Sequence, residues 1–246
     1  MRIRVVNPNT TAAMTATIER SARAVAGPGT ELDAVTSPEG PASIESHYDE
    51  ALSVPGVLRR IAEGERDGVD GYVIACFGDP GLDAAREVAA GPVVGIAEAA
   101  MHAATLLGRG FSVVTTLGRT RGRAWDLAAR YTPPGACRGV HACEIPVLDL
   151  DGDPAVEDRV AALADAALDR DGSDVVVLGC AGMAGLCARL TERLGVPVVD
   201  GVAAATVLVE SLVTLGLRTS TRGEFAPPPP KAYRVSPGLS TMADAV

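Results

Sequence analysis

Short apolar runs alternate along the chain with longer segments in which alanine and charged residues are mixed. The runs predicted as strands are Ile3–Val6, Gly71–Ala75, Val93–Ile96, Phe111–Thr115, Asp174–Leu178 and Pro197–Val199. The segments between them with helical composition include Ala51–Gly64, Ala84–Ala90 and Val156–Arg170. Strands without polar alternation are covered on both faces. The pattern therefore predicts an α/β fold with parallel sheets.

One part of the chain recurs at an offset of 104 residues. Asp70–Cys76 matches Asp174–Cys180, and the glycines that follow stay in register, Gly78 with Gly182. A period of this length is too long for a solenoid repeat. It is typical of a duplicated α/β unit, although any two strand–turn–helix units share some likeness.

The repeat predicts two pseudo-symmetric Rossmann-like (flavodoxin-like) lobes with the active site between them. The first lobe is expected to cover residues 1–100 plus about 205–246, and the second residues 101–204. The helix after Gly201 is expected to return to the first lobe. The final stretch, Ser236–Val246, is expected to fray.

Composition and charge narrow the classes of function. The 246 residues carry a formal net charge of -9, so a basic face for nucleic acid is not expected. The basic segment Arg119–Arg123 is interpreted as a solvated loop or helix start. No targeting segment or transmembrane span is expected. Five cysteines fit a reducing compartment without a disulfide framework, so we expect a cytoplasmic protein. We also expect a homo-oligomer, because homo-oligomers are common among soluble enzymes.

The paired cysteines suggest a chemistry. Cys76 and Cys180 each follow a predicted strand, and ligands of open α/β sheets bind beyond the carboxyl ends of strands. A helix N-terminus after each cysteine would lower the pKa of its thiol. One thiolate could then remove a proton from a stereocentre while the other thiol protonates the opposite face, which is racemisation without a cofactor. The alternative is that both cysteines only fill space.

Two further groups of residues have structural interpretations. Cys137, His141 and Cys143 lie close together, but their spacing is not that of a zinc site, and a surface loop is predicted there. No metal is expected elsewhere. Asp79 is expected to cap the helix that follows it.

Beyond these patterns, the chain resembles the hydantoin racemases, a branch of the aspartate/glutamate racemase superfamily. The segments that carry the resemblance are Asn7–Thr11, Pro41–Ser46, Val73–Leu82, Phe111–Thr116, Val177–Met183 and Pro197–Val202. They extend over about 200 residues in family order. The chain departs from the family at Gly78, where members often have an acidic residue.

The resemblance implies a two-lobed fold, Cys76 and Cys180 as acid and base, and a cyclic ureide, a 5-monosubstituted hydantoin, as substrate. The residues that it implies for substrate binding are Asn9, Ile44, Ala75, Phe77, Thr115, Thr116, Ile145, Gly179 and Ala181. Allantoin, a hydantoin with a ureido arm, is an alternative substrate. A cysteine-dependent decarboxylase or cis–trans isomerase of the same superfamily and a small-molecule binding protein are alternative functions.

Overall fold

The chain folds into two four-stranded sheets with helices packed on their faces. The computed structural model describes residues 1–150 and 154–232. Every strand pairing within these residues is parallel. The predicted α/β class with parallel sheets is therefore confirmed.

The elements follow each other in two similar series. The first is β1 (Arg2–Asn7), α1 (Ala12–Val25), β2 (Glu31–Thr36), α2 (His47–Arg66), β3 (Gly71–Ile74), α3 (Leu82–Val88), β4 (Val93–Gly95) and α4 (Ile96–Leu107). The second is β5 (Phe111–Thr115), α5 (Arg121–Tyr131), β6 (Cys137–Ala142), α6 (Pro154–Asp171), β7 (Val175–Leu178), α7 (Cys187–Leu194), β8 (Val198–Val199) and α8 (Gly201–Thr214). Short 3-10 helices lie at Gly118–Thr120, Val147–Asp149, Ala181–Leu186 and Gly223–Phe225.

The two sheets have the same strand order. It is β2-β1-β3-β4 in the first sheet and β6-β5-β7-β8 in the second. The strands β3 and β7, which the sequence repeat pairs, therefore occupy equivalent positions in their sheets. This order is that of flavodoxin-like sheets without a fifth strand.

Each central strand places its side chains alternately in two apolar layers. Val5 and Val73 of the first sheet face a central core that also contains Val113 and Val177 of the second sheet. Val6 faces the outer layer, which α2 and α3 cover. Because alternation puts apolar residues on both faces, these strands are fully buried. One continuous core thus joins the two halves of the chain.

Two helices cross between the halves. The helix α4 follows β4 but packs against β7 and β8, whereas α8 follows β8 and packs against β3 and β4. The two helices also pack against each other, and a Cβ at Gly201 would lie 2.5 Å from the carbonyl oxygen of Ile96. Glycine is therefore required where α8 meets the start of α4. This exchange of helices fixes how the two sheets face each other.

The strands β2 and β6 were absent from the predicted set. Both are edge strands, and each includes an exposed residue, Glu31 in β2 and Arg138 in β6, whereas the central strands include none. The prediction of a surface loop around Cys137–Cys143 is wrong, because Cys137–Ala142 pairs with β5 along its length. The stretch 236–246 lies outside the described residues. Within the described ranges, no helix has the length and apolar character needed to cross a membrane.

Candidate active site

The two cysteines of the repeat lie just beyond the carboxyl ends of equivalent strands. Ala75 separates Cys76 from β3, and Gly179 separates Cys180 from β7. Both thiols are partly exposed, and both line the same cavity. The topology thus brings together two side chains that are 104 residues apart in sequence.

The cavity lies between the two halves of the chain. The space between its walls, with the open mouth included, is about 570 Å³. The first half contributes Ile44, Ser46, His47, Glu50, Cys76, Phe77 and Gly78. The second half contributes Thr115, Thr116, Arg119, Thr120, Arg123, Ala124, Val147 and Cys180. Each half therefore supplies one thiol and part of the wall around it.

The cavity lining includes some of the residues predicted to bind substrate and not others. Beside the cysteines, the predicted residues that line it are Ile44, Phe77, Thr115 and Thr116. Those outside the lining are Asn9, Ala75, Ile145, Gly179 and Ala181. The roles of both groups in binding remain predictions.

The side chain of Asn9 is engaged within the loop after β1. Its Oδ1 accepts hydrogen bonds from Asn7 Nδ2 and from the Thr11 N–H, both at 2.9 Å. Its Nδ2 lies 3.2 Å from the sulfur of Met14. These contacts close the turn between β1 and α1, so the position of Asn9 at the strand end is explained by loop structure.

Gly179 has both of its backbone polar groups paired next to Cys180. Its N–H donates to the Val114 carbonyl at 2.8 Å, and its carbonyl accepts from Thr115 Oγ1 at 3.2 Å. A Cβ at this position would lie 3.0 Å from the Thr115 Cα. Glycine thus allows β5 to approach the residue that precedes the thiol, and this holds Cys180 close to Thr115.

Burial dominates the electrostatics of both thiols. It raises the pKa of Cys76 to about 12, although the Gly78 N–H opposes the shift by donating to the sulfur. It raises the pKa of Cys180 to about 11, with the Gly182 N–H acting in the same opposing way. The expectation of a lowered thiol pKa is wrong, because withdrawal from water disfavours the thiolate more than these N–H groups favour it.

The local helices also differ from that expectation. After Cys76 the chain makes a turn, and α3 begins only at Leu82. After Cys180 comes a 3-10 helix, Ala181–Leu186, whose N-cap is Cys180 itself. Neither thiol therefore lies at the N-terminus of a long α-helix, where the helix dipole would act most strongly on it.

The two thiols influence each other's ionisation. A charge on Cys180 raises the pKa of Cys76, so the two sulfurs resist being ionised together. When the site loses one proton, it therefore holds one thiolate and one thiol. That combination is the one that a proton transfer from one face to the other requires.

Charged residues in the cavity wall were not assigned to the site from sequence. Arg123 pairs with Glu50 at 2.7 Å, and Arg119 and His47 line the same wall. Burial raises the pKa of Glu50, while the neighbouring Arg123 and His47 oppose the shift. The prediction of a solvated loop or helix start at Arg119–Arg123 agrees with the structure, since α5 starts there and Arg119 is exposed, but Arg119 and Arg123 also line the cavity.

The start of α2 carries a sequence pattern that indicates part of the cavity wall. Ser46 caps the helix by accepting a hydrogen bond from the Asp49 N–H at 3.1 Å. The cap places His47 and Glu50 in the first turn, which faces the cavity. The Ser–x–x–Asp pattern marks this helix start, so it could have located the two residues beside Ile44.

Asp79 caps a helix, but a different one from that predicted. Its carboxylate accepts from the N–H groups of Ala97 at 3.0 Å and Glu98 at 2.9 Å, both in the first turn of α4. Asp79 has a φ of 47° and is buried. The capped helix lies beyond α3 and β4, so the pairing depends on the packing of the sheet rather than on neighbouring sequence.

The cysteine and histidine cluster of β6 has structural contacts. His141 Nε2 lies 2.6 Å from Asp171 Oδ2, and Cys143 Sγ lies 3.6 Å from the Thr116 carbonyl oxygen. Cys137 is buried and contacts the Gly139 carbonyl. Over residues 1–150 and 154–232, no group of three or more potential ligands is arranged to hold a metal ion.

Two facing α/β sheets, with a thiol from each half in one cavity between them, define an enzyme of the two-lobed racemase type. The profile of the Asp/Glu/Hydantoin racemase family matches residues 3–209. The chain belongs to this family, and the protein is a racemase, an isomerase that acts on a small molecule.

Individual relatives are similar over nearly their whole length. A hydantoin racemase from Rhizobium meliloti is 48% identical, over 94% of this chain and 97% of its own length. A hydantoin racemase from Pseudomonas sp. (strain NS671) is 45% identical, over 95% of this chain and 94% of its own. The structure of an allantoin racemase from Klebsiella pneumoniae is 53% identical and superposes with a TM-score of 0.93, covering 96% of both chains.

Proposed function

We propose that this protein racemises 5-monosubstituted hydantoins at C5, with Cys76 and Cys180 as an acid–base pair. The observation that carries the proposal is that these thiols follow equivalent strands of two sheets and line one cavity. The similarity to hydantoin racemases supports the choice of substrate.

The proposed reaction consists of two proton transfers. The thiolate on one side removes the C5 proton, and the C–H electron pair delocalises onto the neighbouring C4 carbonyl oxygen as an enolate. The thiol on the other side then gives its proton to C5 as the carbonyl re-forms, which leaves the opposite enantiomer. Electrons stay in the substrate and only protons move, so the chemistry needs no redox or group-transfer cofactor.

The two sulfurs exchange roles with each turnover. The thiolate that took the proton ends as a thiol, and the donor ends as a thiolate. With the thiol and the thiolate exchanged, the enzyme can bind the enantiomer just formed and convert it to the original one. Burial, together with the charge of the other sulfur, keeps the second sulfur protonated when one is ionised, as both directions require.

The cavity wall suits a flat polar ring. Ile44 and Phe77 provide apolar contacts, and the hydroxyl-bearing residues Thr115 and Thr116 lie on the side of the second sheet. We place the ring between the two thiols against these four residues. The backbone around each cysteine would then face the ring's carbonyl and N–H groups.

Allantoin is a second candidate substrate, favoured by the charged part of the wall. Glu50, Arg119 and Arg123 line the cavity, and a ureido arm at C5 offers both hydrogen-bond donors and acceptors to such groups. The similarity to the allantoin racemase of Klebsiella pneumoniae agrees with this choice. An alkyl substituent would offer these polar groups no further hydrogen bond.

Deuterium exchange tests the proposal. Single enantiomers of 5-methylhydantoin, 5-benzylhydantoin and allantoin are incubated with the enzyme in D₂O, while optical rotation and deuterium at C5 are followed. Loss of rotation should accompany one deuterium per inversion, at a rate well above that in buffer. Carbon dioxide release from an arylmalonate, without exchange of any hydantoin, would instead support the decarboxylase alternative.

Single-cysteine variants test the mechanism. Cys76→Ala and Cys180→Ala should each reduce racemisation by at least about 10³-fold, because one face then lacks a proton donor or acceptor. Each should retain exchange at C5 of one enantiomer without inversion, and the two variants should act on opposite enantiomers. Cys187→Ala, which removes a thiol outside the cavity lining, is the control. Racemisation that persists in both active-site variants would refute the two-thiol mechanism.

A further inference from the structure

Arg123 connects the two halves of the chain at the cavity. It lies in the first turn of α5, in the second half. Its Nη2 donates to the carbonyl oxygen of Gly78 at 2.7 Å and pairs with Glu50 Oε1 at 2.7 Å. Both partners belong to the first half, and all three residues line the cavity. One guanidinium thus holds two different elements of the opposite half.

Both partners of Arg123 are close to Cys76. A Cβ at Gly78 would lie 3.7 Å from the Glu50 carboxylate and 3.9 Å from the Cys76 sulfur, so the peptide lies between them. The Gly78 N–H donates to the sulfur, and ionisation of the thiol is opposed by the charges of Cys180 and Asp79 and by the carboxylate of Glu50. Arg123 holds the peptide by its carbonyl and neutralises the opposing carboxylate. Its two contacts act in the same direction on one sulfur.

Cys180 has a different arrangement. Its neighbouring N–H comes from Gly182, and the carboxylate that opposes its ionisation is Glu45. Glu45 Oε1 accepts a hydrogen bond from the Val147 N–H at 2.7 Å rather than pairing with an arginine. The pseudo-symmetry of the two sheets therefore does not extend to the charges around the thiols.

We propose that Arg123 is a positioning residue that favours the thiolate of Cys76 and has little effect on Cys180. It does so by fixing the Gly78 peptide against the sulfur and by neutralising Glu50. The inference deepens the proposed function and rests on it for the catalytic meaning of Cys76. The effect of Arg123 on the thiol itself is measurable without any substrate.

Steady-state rates of racemisation cannot isolate this effect. The two enantiomers are equally stable, so the equilibrium constant between them is 1. In every variant, kcat/KM for one enantiomer must therefore equal kcat/KM for the other. A change that acts on one thiol therefore lowers both directions together. The asymmetry must be measured on each sulfur separately, either by its chemical reactivity or in single-cysteine variants.

The first experiment measures thiol reactivity. Iodoacetamide modification of Cys76 and Cys180 is followed by peptide mass spectrometry between pH 6 and pH 10. In Arg123→Gln, Cys76 should react about tenfold more slowly at a given pH than in the wild type, while Cys180 changes less than twofold. If loss of the Arg123 contacts made Cys76 more accessible, iodoacetamide would react with it faster. A slower reaction therefore reports a lower fraction of thiolate.

Two further variants provide the control and the rescue. Arg130→Gln removes a guanidinium from the same helix that also joins the halves, through Asp83 at 2.7 Å, but outside the cavity lining. It should leave both thiols unchanged. In the double variant Arg123→Gln/Glu50→Gln, Cys76 should react about threefold faster than in Arg123→Gln alone. The carboxylate of Glu50 is then removed, but the Gly78 peptide still lacks its hydrogen bond from Arg123. Equal slowing of both cysteines, or no slowing of Cys76, would overturn the proposal.

The second experiment uses deuterium exchange at C5 in single-cysteine backgrounds. Arg123→Gln should lower exchange about tenfold in Cys180→Ala, where only Cys76 acts, and less than twofold in Cys76→Ala. Equal losses in both backgrounds would indicate a general structural role and contradict the proposal. If the wild type exchanges none of the hydantoins, the proposed function fails, and the modification experiment still decides the effect of Arg123 on Cys76.

Discussion

Replacing Asp79 with asparagine should change how the stability of the protein depends on pH. The Asp79 side chain is only 4% exposed and accepts two backbone N–H groups at the start of α4. Glu98 and Tyr131 face it from α4 and α5, and Cys76 lies on its own turn. The carboxyl group thus joins the turn after Cys76 to the helix that crosses to the second sheet.

The magnitude follows from the ionisation of the buried carboxyl group. Burial raises the pKa of Asp79 from 3.8 to about 7, despite the two N–H hydrogen bonds that favour the charged form. Since the folded state binds the proton more tightly than the unfolded state, this group stabilises the fold most at low pH. That contribution is lost as the pH rises from about 4 to about 7, and the total loss is about 4 kcal/mol.

Asparagine does not titrate in this range, so Asp79→Asn should lack this loss. It retains one carbonyl oxygen, and the missing second acceptor costs about 1 kcal/mol. The wild type should therefore be the more stable protein at pH 4, where little of this contribution has been lost, and the variant should be the more stable one by pH 8. Urea unfolding, followed by circular dichroism and by the fluorescence of Trp125, measures both free energies at each pH.

The control is Asp83→Asn, which changes a surface carboxylate that pairs with Arg130 on α5. The free energy of unfolding of this variant should change with pH as that of the wild type does, because the substitution does not involve a buried acid. If Asp79→Asn also runs parallel to the wild type over the whole range, Asp79 does not carry a raised pKa in the folded protein. The reasoning that assigns it an unfavourable buried charge would then be refuted.

Two glycine substitutions test the packing around the same turn. A Cβ at Gly95 would lie 2.2 Å from the Asp79 carboxyl carbon, so Gly95→Ala should destabilise the fold by about 2 kcal/mol or more, visible in the thermal midpoint. By contrast, the nearest atoms to a Cβ at Gly78 are 3.7 Å away. Gly78→Leu should fold normally and fill part of the cavity, lowering kcat/KM for 5-benzylhydantoin more than for 5-methylhydantoin. An equal loss for both substrates would show that the C5 substituent does not lie beside Gly78.

The central strands could be predicted from sequence because burial on both faces leaves a continuous apolar run. The edge strand β2 begins at the exposed Glu31 and pairs on one side only, so its pattern carries less information. The strand β6 includes the exposed Arg138 and was mistaken for a loop for the same reason. The strands β4 and β8 also lie at sheet edges, but every residue of both is buried, so their apolar runs were recognisable.

Site residues divide in a similar way. The positions of Cys76 and Cys180 were predictable because each lies just beyond the end of a buried strand within a repeat. Arg123 and Glu50 were not, because each lies in an ordinary amphipathic helix and acquires its significance from the other across the cavity. The helix that Asp79 caps could not be predicted from sequence either, because α3 and β4 lie between Asp79 and that helix.

The amino-acid sequence alone determined the class of fold, the duplication and the pair of thiols, because each is recorded in local hydrophobic patterns and in residues kept at matching positions. Tertiary structure decided the cavity between the halves, the raised pKa of both thiols and the charges that distinguish one thiol from the other. The physical reason is that desolvation and ion pairing depend on distances across the two sheets. The exchange of α4 and α8 between the halves fixes those distances, and no local pattern specifies them.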